Sequence, residues 1–350
     1  MTTAYAYNVA SDTWGEGTVL GDTTHGGVDA VDGTLSFGFM GSTALALLTN
    51  ATSTASDMWG AAGDVEFATW VAGKWTPFAA ISSTATGNAP PSLVFGASSA
   101  VAAYATGDTN AESTATFSGS TWSSASAIGT GMGGGPSLVM RSGGLSVAYV
   151  RASDGALVER DQSGSAWGAE QVIVAGTDAA PPAQVFPPTL VALSGTGPDL
   201  LLVFTDMTGT DLHFATRTGG TWSKAQGLGL TDGPSPQYAT QVMPLAGGKA
   251  MMAFTSISQN VLVSTFSGTS WSTATSAFTP WCGDCVDQAP TALSAGVGTA
   301  SAEIVFGGDP SGNNNYVPYH TRLVNGQWTT PKPVVAQISG FFAAYALAPH

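Results

Sequence analysis

The chain has 350 residues, 43% hydrophobic and only 9% charged, which is apolar enough for a packed core and excludes a disordered chain. Nine Lys and Arg stand against 23 Asp and Glu, a net charge of -14, so there is no basic footprint for nucleic acid and an anionic membrane surface would repel it. The same balance suits solubility, cation binding, or a neutral or cationic ligand. In chain order, the first predicted element is "AYAYNVASDTWGEGTVL" at 4–20, two short strands around a turn that ends on Trp14. The same phrase, small residues and then Trp, returns as "VAGKW" at Trp75, "SGSTW" at Trp122, "SGSAW" at Trp167, "TGGTW" at Trp222, "SGTSW" at Trp271 and "VNGQW" at Trp328. The intervals run from 45 to 61 residues, close to the period of propeller arrays, with loop insertions accounting for the spread.

The segments between these Trp residues share one grammar. Residues 136–173, "PSLVMRSGGLSVAYVRASDGALVERDQSGSAWGAEQVI", hold an apolar run, a Gly turn, an alternating run, an "SDG" turn, a third run, the Trp turn and a last run. That is four strands joined by tight turns, and 91–127, 188–228, 236–278 and 290–335 repeat it. No segment sustains an apolar 3.6-residue period, so the chain reads as all-β. A four-stranded sheet repeated radially is a propeller blade. The leftover 1–20 and "GFFAAYALA" at 340–348 are expected to form a seventh, composite blade, closing residues 1–350 into one domain by pairing 1–20 with 338–350. Six blades with an appended hairpin is the alternative. Each repeat Trp is assigned to the wedge between adjacent blades, as core.

The phrases "RASDGALVERDQSGSAW" at 151–167 and "FSGTSW" at 266–271 resemble degenerate forms of the Asp-box, S-x-D-x-G-x-x-W, of sialidase-like BNR-repeat propellers. The similarity extends to propeller lectins with small-residue-plus-Trp hairpins. It implies the fold and carries no function over. Sialidase chemistry needs three arginines on a carboxylate, a Tyr–Glu nucleophile pair and an Asp acid/base. The only arginines are Arg141, Arg151, Arg160, Arg217 and Arg322, and they suggest no such triad.

The connections from strand four to the next strand one do not repeat each other, which favours one unique site over many equivalent ones. They carry Asp22, His25, Asp29, Asp178, Asp232, Asp284 and Asp287. Converging carboxylates call for a divalent cation, Ca2+ ahead of Zn2+ or Mn2+, with Asp22, His25, Asp232 and Asp284 as the ligand set. His25, Asp284 and Asp287 are the candidate catalytic groups, and Trp281, His213 and Asp178 the candidate ligand contacts. Equally, Asp is a common turn and surface residue. His320 reads as structural. Cys282 and Cys285, in "WCGDC", read as a disulfide clasp in a long loop, which suits an oxidising compartment.

The leading expectation is therefore a hydrolase with one metal-assisted site at the channel mouth, acting on a small ester, lactone or phosphotriester. The alternatives are a carbohydrate-binding lectin, with Trp59, Trp70 and Trp281 as aromatic platforms, and a non-catalytic interaction scaffold. The expected partner is a small molecule or glycan, met by a monomer. No run approaches about 18 apolar residues, so no membrane span is expected. The start lacks a basic region followed by an apolar stretch, and the chain reads as an exported protein whose leader has been removed, with a cytoplasmic location as the alternative.

Overall fold

The computed structural model describes residues 3–19 apart from 5, 6 and 9, 36–51 apart from 42, 63–82, 91–106, 111–131, 135–178, 182, 187–234 apart from 210, 240–278, 292–309 apart from 297, and 317–334. Every regular element among them is a strand. Among the described residues no helix is long and apolar enough to cross a membrane.

The strands form six antiparallel meanders of four strands in sequence order, here called blades 1 to 6. They span residues 36–82, 92–130, 137–174, 189–227, 241–276 and 292–333. Blade 3 shows the pattern, with strands Ser137–Arg141, Gly144–Val150, Leu157–Ser163 and Ala166–Trp167. One compact unit contains blades 1 to 3 and another blades 4 to 6.

The blade count corrects the expected seven to six. The Trp14 phrase pairs only locally, Thr3–Ala4 with Thr18–Val19 and Tyr7–Asn8 with Thr13–Trp14. Residues 338–350, the proposed partner of this hairpin, lie outside the described residues.

The Trp turns are two-residue hairpins that need positive φ. In blade 6, Asn325 (φ 51) and Gly326 (φ 79) supply both central positions of a type I′ turn, and Gly219 (φ 58) and Gly220 (φ 83) do so in blade 4. In every blade the repeat Trp faces the residue five positions before it, from Trp70 opposite Trp75 to Leu323 opposite Trp328.

Within each unit the blades stack through apolar faces. In the first unit, Leu47, Val65, Ala102 and Tyr104 bury together, with Trp122 packed against them. Val101, Tyr149, Val158 and Ile128 form the next seam, with Trp167 at its edge. In the second unit, Leu201, Phe214, Met252 and Phe266 pack with Trp271, and Ile304, Phe306 and Val263 with Trp328. These four Trp residues are thus wedges between blades, as their spacing predicts. First strands of neighbouring blades lie side by side: the Leu138 N–H donates to Ser92 Oγ at 2.9 Å, and Thr189 Oγ1 to the Thr240 carbonyl at 2.8 Å.

Candidate ligand site at the seam of the second and third blades

Blade 3 departs from its siblings in charge. Arg141, Arg151 and Arg160 all fall within it, in a chain with nine basic residues altogether. Each has a defined partner. Arg141 Nε donates to Ser146 Oγ at 2.6 Å and its Nη2 pairs with Asp161. Arg160 crosses to blade 2, donating to the Ile128 carbonyl, and its Nε donates to the Gly168 carbonyl at 2.6 Å.

Arg151 ends the second strand of the blade, where its backbone bridges to Gly131 of the connection from blade 2. Its Nε and Nη2 donate to the two oxygens of Asp154 at 3.0 and 2.7 Å, a bidentate fork set by the Asp154–Gly155 turn. Its Nη1 donates to Glu170 Oε2 at 2.6 Å. The other oxygen of Glu170 accepts from the Tyr149 hydroxyl at 2.5 Å. The side chains of Arg151, Glu170 and Asp154 are 25%, 26% and 49% exposed, so the group reaches solvent while Tyr149 stays buried beneath it.

The electrostatics follow from these bonds. Asp154 and then Glu170 raise the Arg151 pKa further, and Arg151 in return holds the Asp154 carboxyl below its usual range. Burial pushes the Glu170 carboxyl up, but the bonds from Tyr149 and Arg151 outweigh it and leave it lowered. Burial first, and the bond to Glu170 second, push the Tyr149 hydroxyl up, so it stays a donor.

Glu112 lies behind this group, on the blade 2 strand Ala111–Phe117, opposite Gly129. It is 0% exposed, and neither carboxyl oxygen has a hydrogen-bond partner. Burial pushes it up to about 8, so it is protonated at neutral pH. Two glycines clear its surroundings. A Cβ at Gly131 would fall on Glu112 Oε1, and one at Gly129 on the Tyr149 hydroxyl. The seam is therefore lined by a neutral acid, a tyrosine, and Arg151 held between two carboxylates.

Of the residues singled out from sequence, only some are described, and those are not part of this seam. Asp22, His25, Asp284, Asp287, Trp281, Trp59, Cys282 and Cys285 fall outside the described residues. Asp178 is exposed and caps its own turn, accepting from the Ala175 N–H at 3.0 Å. Asp232 accepts the Ser258 N–H at 3.2 Å. His213 stacks on Phe204 with ring centroids 5.5 Å apart and lies 3.7 Å from Asp211. Asp178, Asp232 and His213 each have a different partner, and the described residues contain no group of three or more His, Cys, Asp or Glu side chains that could hold a metal ion. Trp70 packs edge-on against Trp75 at 5.6 Å within its own blade. His320 is buried and bonded to Glu303, a structural role. The signals for the seam that sequence reading passed over were the clustering of arginines and the alternate glycines in "GTGMGGG" at 129–135.

No protein-family model and no curated sequence matches the chain. Solved structures do. The lectin AofleA from Arthrobotrys oligospora superposes with a TM-score of 0.55 at 12% identity, over 89% of each chain. The fucose-recognising, six-bladed lectin of Aleuria aurantia gives a TM-score of 0.53 at 14% identity, over 89% of this chain and 100% of the lectin. A polysaccharide lyase, an ulvan lyase, gives 0.56 at 10% identity, over 87% of this chain and 86% of the lyase. The fold is a β-propeller. At these identities the likeness establishes the fold alone and does not show the Asp-box family. Asp154 and Trp167 in fact sit on two different turns of blade 3, so the 151–167 phrase is not one Asp-box hairpin.

These neighbours overturn the metal-hydrolase expectation. They are lectins and a lyase, and they favour the carbohydrate-binding alternative over an ester, lactone or phosphotriester hydrolase.

Proposed function

We propose that this protein is a carbohydrate-binding propeller with its principal site at the seam of blades 2 and 3. The observation that carries this reading is the partly exposed Arg151 held between Asp154 and Glu170, on a fold whose solved neighbours include fucose-binding lectins. Planar charged groups fixed by one another present donors and acceptors at set angles, which is what recognition of adjacent hydroxyls requires. Ordering cost is small because the side chains are already locked.

The positions matching Arg151 in blades 4 and 5, the residues that bridge to the preceding connection, are Asp206 and Ser256. The charge set is thus not repeated in those two blades, and the reading is of one principal site per chain. An exported location suits a protein that meets glycans outside the cell. The test is calorimetry with α-methyl fucoside and a panel of free glycans. Saturable binding near one site per chain, lost in Arg151→Ala, is the expected result. Absence of binding across the panel overturns the reading.

A further inference from the structure

We infer that the blade 2–3 seam selects uncharged sugars, with Glu112 taking a ligand hydroxyl, and rejects sugars that carry a carboxylate or sulfate. The inference rests on the carbohydrate-binding reading and names its ligand class.

Arg151 is the one arginine of the seam that reaches solvent beside two carboxylates, and its fork is already filled. Nε and Nη2 are taken by Asp154, and Nη1 by Glu170. An anionic ligand would have to displace one carboxylate and then sit beside the other. Like charges so placed repel by several kcal/mol when desolvated. The net charge of -14 adds a long-range penalty of the same sign. A hydroxyl faces no such barrier, since it donates to Asp154 or Glu170 and accepts from the remaining guanidinium hydrogens.

Glu112 is the independent observation. A buried polar group without a partner costs about 1–3 kcal/mol, so its retention requires an explanation. Its carboxyl lies against Gly131, the residue bridged to Arg151, and the Tyr149 hydroxyl lies against Gly129. Residues two apart on one face of a strand are separated by about 7 Å, so the free carboxyl and the Tyr149–Glu170 pair are set side by side along the seam. The charged and titratable groups around it are Tyr149 and Arg160 of blade 3, with Glu170 and Arg151 beyond. Being protonated, Glu112 offers one donor and one acceptor, the complement of a hydroxyl and a poor partner for an anion. Since Glu112 is 0% exposed, a ligand hydroxyl can bond it only if side chains of the seam part.

The experiment is calorimetry on the whole chain with matched probes: α-methyl fucoside and lactose against sialyllactose and galactose 6-sulfate. The expected result is binding of a neutral probe only. Glu112→Gln, which keeps a neutral donor and acceptor, should stay within about threefold of wild type, and Glu112→Ala should lose about tenfold. If the Ala variant does not fold, the pH series decides: wild-type affinity should fall above about pH 8 while Glu112→Gln stays level. Tighter or equal binding of the acidic probes, or affinity indifferent to both Glu112 variants and to pH, overturns this inference and leaves the carbohydrate reading standing. No binding of any probe overturns the carbohydrate reading itself.

Discussion

Phe67 of blade 1 meets Trp122 of blade 2 edge to face, with centroids 5.7 Å apart and planes at 74°. Phe214 of blade 4 meets Trp271 of blade 5 in the same way, at 6.4 Å and 82°. Each Phe lies eight residues before its own blade's Trp, and each Trp also packs on the Phe five residues before it, Phe117 or Phe266. One aromatic triad therefore closes the first seam of both units, which identifies these Trp residues as core. Trp122→Ala should cost about 3–5 kcal/mol in chemical denaturation. The Trp122 indole N–H has no hydrogen-bond partner, so Trp122→Phe should recover most of that loss. A Phe variant as damaging as the Ala one would show that the indole N–H matters after all.

The residue after the Trp clasps the blade. In blade 5 the Ser272 N–H donates to the Thr265 carbonyl at 2.9 Å, and the Ser272 hydroxyl accepts the Thr265 N–H at 3.0 Å. Thr76, Ser123, Ser223 and Thr329 repeat both bonds in blades 1, 2, 4 and 6. The hydroxyl satisfies a backbone donor where the outer strand breaks between its two segments. Ser272→Ala should cost about 1 kcal/mol, seen as a melting temperature lowered by about 2 °C. Ser272→Thr should be neutral, since Thr serves in blades 1 and 6. Blade 3 has Gly168 in this place, and there Arg160 takes the Gly168 carbonyl instead.

Glu303 in blade 6 is buried between two partners. Its Oε2 lies 3.0 Å from His320 Nε2, and its Oε1 accepts from Arg322 Nε at 3.1 Å. Glu303 and Arg322 are direct cross-strand neighbours, and His320 is two residues from Arg322 on the same face. Removing the carboxylate would leave a guanidinium without its buried counter-charge. Glu303→Ala should destabilise by about 3–5 kcal/mol, and the isosteric Glu303→Gln by less. Equal stability of Glu303→Ala and wild type in a urea titration would show that the pair contributes nothing net.

The blades were legible because the Trp turn is local: a run of about ten residues carries strand, turn and wedge together. Blade number was not, because the Trp14 copy carries the hairpin phrase yet its described residues pair only with one another. The seam was harder still. Glu112, Tyr149, Arg151 and Glu170 belong to two strands and a loop, and only the stacking of blade 3 on blade 2 unites them. Acidic loop residues such as Asp178 and Asp232 attracted notice by type, yet each spends its carboxylate on a nearby backbone N–H. The clasp was visible as Ser or Thr after five of the Trp residues, but its meaning depends on the N–H it faces across the hairpin.

The last prediction concerns pH. Glu112 has an ordinary value of 4.5 and burial pushes it up to about 8 in the folded chain. Below pH 4.5 both folded and unfolded chains hold the proton, and the group does not oppose folding. Between 4.5 and about 8 the unfolded chain gives up the proton while the folded chain keeps it, so stability falls as pH rises. The slope approaches about 1.4 kcal/mol per pH unit and levels off once the folded carboxyl also ionises. Glu112→Gln removes this titration while preserving the shape of the seam. Denaturation midpoints measured from pH 5 to pH 9 should therefore decline more steeply for wild type than for Glu112→Gln, and the two curves should run parallel above about pH 8. Parallel curves over the whole range would mean that the Glu112 carboxyl is ionised and paired in the folded protein, and the neutral acid of the seam would have to be abandoned.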